Sequence, residues 1–159
     1  MLQKFILIVL LSFYFQAKSQ TSPENEEIED NSISNQLYAK CFENLNQGSE
    51  ILEKYPAFKN TKICSLMYCI VLLHYTEKEI QLIGEQRLQG IATQLFQEGN
   101  PVYLISGMDS YSRAENENKN LEDDNHIVYI SIAACMISSH EARAQEIVNK
   151  QTMLLINKK

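Results

Sequence analysis

Residues 76–99 read TEKEIQLIGEQRLQGIATQLFQEG, and this stretch decides the fold class. Ile80, Ile83, Leu88, Ile91, Leu95 and Phe96 recur at helical spacing, as one apolar stripe of an amphipathic helix does. Thr76 and Glu79 stand three apart, the spacing of a capping box in which a threonine oxygen takes a free backbone amide and the glutamate reaches back. Gly99 closes the segment where helices commonly end. The reading is a helix with a marked start and stop.

The flanking segments read the same way. Upstream, Ile63, Leu66, Met67, Ile70 and Leu73 make a second stripe, with Asn60-Thr61 as its cap. Before them, Leu37, Cys41, Leu45, Leu52 and Tyr55 recur at steps of three, four and seven; Gly48 kinks that helix and Pro56 ends it. Downstream, Asn100-Pro101 supplies a cap followed by a proline at the first helical position. Leu104, Ile105, Met108 and Tyr111 follow on one side, with Gly107 inside. Residues 115–125, ENENKNLEDDN, read as an exposed acidic loop. A last helical stretch runs from near Asn125 to about Ile156, and Ser138 to Glu141 has the spacing of a capping box that splits it at a hinge. No stretch sustains period-two alternation, so a sheet has little support. The expectation is an all-α domain over 34–159, a bundle or short helical-hairpin array of four to six helices.

The first 33 residues carry a different signal. Lys4 precedes an uncharged run from Phe5 to Phe15, and Gln16-Ala17-Lys18-Ser19 then places small residues at the third and first positions before a cut at Gln20. That is the pattern of a cleaved secretory signal peptide over 1–19. The run is too short to cross a bilayer core, which takes about 20 residues. Residues 20–33 are acidic with little to bury, and read as a disordered segment. Ile63 to Leu73 is the most apolar stretch beyond it, interrupted by Ser65 and of a length that suits a buried helix, so no stable membrane insertion is expected.

The formal charge is −6, and loss of Lys4 and Lys18 with the signal takes it to −8. A chain this acidic has no clustered Lys and Arg to meet nucleic acid. Another protein, basic or itself an enzyme, is the expected partner. The signal's ending, with no Asn-x-Ser/Thr site among many asparagines, leans towards a bacterial envelope: periplasmic or secreted.

Four cysteines in an exported chain are disulfide candidates: Cys41, Cys64, Cys69 and Cys135. Cys64 and Cys69 lie five apart on one expected helix and point to different faces. Cys41 therefore pairs with one of them and Cys135 with the other, unless some stay as small buried hydrophobes. Metal is not expected. There is no C-x-x-C, and the zinc-protease motif that His140-Glu141 begins needs a second histidine where Ala144 stands. Cys69 precedes His74 by five and Cys135 precedes His140 by five; coincidence is favoured over a duplicated unit. No cofactor is expected, no phosphate cradle or serine elbow is present, and no catalytic residue is assigned.

Tyr68 and Tyr75, seven apart on one helix face, are binding candidates, although the margin of a core suits them better. Glu115, Glu117, Glu122, Asp123 and Asp124 form a negative patch that would steer a basic partner. The functional expectation is an exported non-enzymatic protein-binding module, possible as a periplasmic inhibitor or immunity-type protein. The alternatives are a small secreted hydrolase or metal-dependent enzyme with a site near His140 and Glu141, and a structural envelope component.

Overall fold

The computed structural model describes residues 32–46, 52, 54–59, 61–119 and 126–158. The expected signal peptide, almost all of the acidic lead, and Glu122, Asp123 and Asp124 lie outside the described residues.

Helix α3, Lys78–Gln97, is the stretch with which the sequence reading began, and it forms the centre of the core. Ile80, Leu88, Ile91 and Leu95 are fully buried. Its end is a Schellman motif: Asn100 N–H donates to Leu95 O and Gly99 N–H to Phe96 O, with Gly99 at φ +81°. Only glycine takes that left-handed turn without strain. Its start differs from expectation. Glu77 is the N-cap with no side-chain cap bond, and Thr76 donates its hydroxyl to the Glu77 carboxylate instead.

Helix α2, Leu66–Leu72, lies against α3 and is capped by Ser65, whose oxygen accepts Tyr68 N–H, not by Asn60-Thr61. The two helices approach at Gly84, where a Cβ would stand 3.0 Å from Leu72 Cβ and 3.2 Å from Cys69 O. The helix expected over 34–55 is shorter: α1 is Ile33–Ala39, followed by 3-10 turns at Glu43–Asn46 and Pro56–Phe58. The Cys41–Cys64 disulfide ties this region to the start of α2, with the Cα atoms 4.7 Å apart.

The all-α expectation is overturned by two strands, β1 (Val102–Ser106) and β2 (Val128–Ala133), which pair in parallel. Between them runs α4, Ser110–Lys119, and after β2 comes α5, Ser139–Ile156. The fold is mixed α/β, with five α-helices and a two-stranded sheet among the described residues. The physical reason is local. VYLIS and VYISIA are β-branched and aromatic segments of five and six residues. Val102, Leu104, Ile105, Val128 and Ile130 are buried while Tyr103, Tyr129 and Ser131 beside them are half-buried, an alternation too short to be sustained in so few residues. Asn100-Pro101, expected to cap a helix, instead leads into β1, and Pro101 O accepts Val128 N–H.

A two-stranded sheet has two open edges, and here each is closed by an asparagine. On the β1 side, Leu104 N–H donates to Asn149 Oδ1 at 2.7 Å and Asn149 Nδ2 donates to Leu104 O at 2.9 Å; Thr152 donates to Val102 O. On the β2 side, Asn118 does the same for Tyr129, at 2.8 and 2.9 Å, and Ser34 also donates to Tyr129 O. Each amide acts as a one-residue third strand, satisfying backbone groups that would otherwise be orphaned.

Helices α3 and α5 run parallel in constant offset. Arg143 pairs with Glu85 and Gln151 donates to Thr93, each 58 residues apart. Since α5 runs antiparallel to β1, the starts of α3 and α5 and the C-terminal ends of both strands gather at one end of the domain.

Candidate functional site

In parallel sheets, ligands meet the end where strands exit into helices. Here that end is built from two short connections. After β1, Gly107 turns at φ +115° and its N–H donates to Ala133 O at the end of β2. Met108 and Asp109 follow before α4. Ser110, buried at the start of α4, donates to Ala133 O and so receives the Ser131 hydroxyl at 2.6 Å. The second connection, residues 134–138, carries Cys135, Met136 and Ile137 into α5. The two loops are thus pinned side by side while Met108 and Met136 on them, 81% and 89% exposed, and Tyr111 in the first turn of α4, 66% exposed, face water.

The start of α5 is fixed by the capping box read from the sequence. Glu141 N–H donates to Ser138 Oγ at 3.2 Å, and Ser138 N–H donates to Glu141 Oε2 at 2.8 Å. That backbone bond holds the Glu141 carboxyl below its usual range, against the opposing effect of burial, helped by His74 and His140 nearby. The two rings touch, with centroids 4.7 Å apart and planes at 77°. Tyr38 of α1 completes the surround: burial pushes its phenol up, and the charge of Glu141 adds to the effect. A groove of about 700 Å³ opens beside them between α3 and α5, lined by Leu73, Lys78, Leu82, Glu85, His140 and Arg143 among others.

The sequence candidates are dispersed. Tyr68, 40% exposed, stays on α2, but Tyr75 lies past the end of that helix and packs on Phe58 with centroids 4.8 Å apart, at the core margin. They do not share a helix face. Glu115 and Glu117 sit on α4, not in a loop, and Glu115 pairs with Lys119 at 2.6 Å. Cys135 is not joined to Cys69: Cys135 is free and exposed, Cys69 free and buried. Burial pushes the Cys69 thiol up to about 12, with Arg87 opposing, so it stays protonated near neutrality and is no nucleophile. Met108, Tyr111, Met136 and Tyr38 were not singled out as site residues. The signal that points to Met108, Tyr111 and Met136 is the strand before each connection; Tyr38, on α1, has no such signal.

Among the described residues no three Cys, His, Asp or Glu side chains gather as a metal-holding group. No helix there is long and apolar enough to cross a membrane. No known family, characterised protein or solved structure matches the chain.

Proposed function

We propose that this is an exported, non-enzymatic protein-binding module of the inhibitor or immunity type, and that it engages its partner through the strand-exit end. The observation that carries the reading is the trio Met108, Tyr111 and Met136, large side chains held in water: the two methionines on loops that hydrogen bonds lock together, and Tyr111 in the first turn of α4. Exposed apolar groups on a rigid base are what a protein interface buries at its centre, and methionine and tyrosine are enriched there. The signal-like N-terminus and the Cys41–Cys64 disulfide support export, since such bonds persist in oxidising compartments. The net negative charge favours a basic partner surface.

The test is capture from envelope and secreted fractions by the tagged chain beginning at Gln20, compared with Met108→Ser/Met136→Ser. Neither side chain supports the core, so the variant keeps its fold. One stoichiometric partner held by the parent and at least tenfold less by the variant is the expected result. Equal capture by both would overturn the assignment of this end.

A further inference from the structure

The apolar rim also presents a carboxylate. Asp109 stands between Met108 and Tyr111 in the chain, one residue before α4, and is exposed as they are. Among the described residues its side chain takes part in no ion pair. Arg113, one helical turn on, is the nearest cation in sequence, and its guanidinium donates to Ser106 O at 3.3 Å instead. Lys119 is committed to Glu115, at 2.6 Å, towards the other end of α4. Deepening the binding reading above, on which it rests, we propose that the partner seats a cationic side chain, best an arginine, on Asp109.

Desolvation makes the demand. A partner that covers Met108 and Tyr111 takes water from the residue between them. A carboxylate removed from water without a counter-charge is costly, whereas a paired and hydrogen-bonded one is tolerated. The position is also fixed in advance: Gly107 N–H and the Ser110 hydroxyl both donate to Ala133 O, and Asp109 O accepts Arg113 N–H at 2.9 Å. Little further ordering of this chain is then needed on binding. Arginine suits the place better than lysine. Its planar guanidinium can give two hydrogen bonds to one carboxylate and lie against the face of a tyrosine. The chain's net charge of −6 points to the same kind of partner surface. Unlike charges on the periphery, a carboxylate inside the covered patch acts on how long the complex lasts.

Dissociation of the captured partner is followed for the chain beginning at Gln20, as parent, Asp109→Asn, Arg113→Gln and Met108→Ser/Met136→Ser. Asparagine has nearly the volume of aspartate and serves as well ahead of a helix, so Asp109→Asn keeps its fold. The expected result is dissociation about tenfold faster in Asp109→Asn, because the partner's cation is left buried and unpaired, with the loss persisting at high salt. Arg113→Gln should behave as the parent does. If Asp109→Asn dissociates at the parent's rate or more slowly while the methionine variant loses the partner, no cation sits there. The inference then falls and the rim reading stands. An equal loss in Arg113→Gln would place the counter-charge on this chain and likewise overturn the proposal. Equal capture by the methionine variant, or no partner at all, removes the binding reading and this inference with it.

Discussion

Arg87 and Cys69 show how one position in the core can be read as a pH response. Arg87 is buried on α3, donates through Nη1 to Ile63 O, and has Nη2 without a partner among the described residues. The Cys69 thiol beside it is raised from 9.0 to about 12, chiefly by burial. An acid whose pKa is raised on folding contributes stability that is complete below the unfolded value and lost as pH rises towards the folded one. Between pH 9 and 12 the unfolded thiol has lost its proton while the folded thiol keeps it, so stability falls by up to ~1.4 kcal/mol per pH unit. Urea unfolding at pH 7.5, 9 and 10.5 should show this decline in the Cys135→Ser protein, and a flatter profile once Cys69→Ala is added. Tyr38 is raised as well but is common to both proteins, so identical profiles would remove Cys69 as the cause. The sequence reading places Cys64 and Cys69 on one helix, but Cys64 precedes α2 and its Ser65 cap, and it is the chain ahead of the helix that brings Cys64 to Cys41. Their different environments could not be seen, because which cysteine faces Arg87 depends on how α2 lies on α3.

At the scale of elements, the small sheet rests on two side-chain amides. Asn149→Ala leaves the N–H and C=O of buried Leu104 without partners, at about 1–3 kcal/mol for each group. Asn118→Ala should cost less, roughly 1–2 kcal/mol, because Ser34 still donates to Tyr129 O and that edge is only partly buried. Denaturant midpoints would rank the two. A loss below about 0.5 kcal/mol for Asn149→Ala would mean that water takes over and the amide is dispensable. Neither asparagine announces itself in the sequence. Asn118 sits in what reads as an acidic loop, and Asn149 interrupts the apolar pattern of α5. Long helices were legible because many turns repeat the same stripe, as in Ile80 to Leu95. The strands were not, because segments of five or six residues have little room to display a period, and the proline before β1 matches a helix cap equally well. Of the two capping boxes, Ser138–Glu141 formed. Thr76–Glu79 did not, because the hydroxyl of Thr76 turned to Glu77.

Across the whole molecule, the apolar rim and the acidic charge should act on different rate constants. Apolar groups buried at the centre of an interface slow dissociation, whereas charges around it steer approach and leave the dissociation rate nearly unchanged. On the proposed reading, the steering charges are Glu117 on α4 and the chain's Glu122, Asp123 and Asp124. Glu115 is a poorer choice for substitution because its reversal would also break its pair with Lys119. With the captured partner immobilised, reversal to lysine at Glu117, Glu122, Asp123 and Asp124 should lower the association rate about tenfold at low salt and flatten its salt dependence, since salt screens what reversal removes. The Met108→Ser/Met136→Ser variant should instead raise the dissociation rate and keep the parent's salt dependence. If reversal leaves association unchanged while the rim variant fails, the acidic segment is a solvated surface and the apolar rim alone recognises the partner. If both variants change only dissociation, the two regions form one contact surface, and the steering role falls.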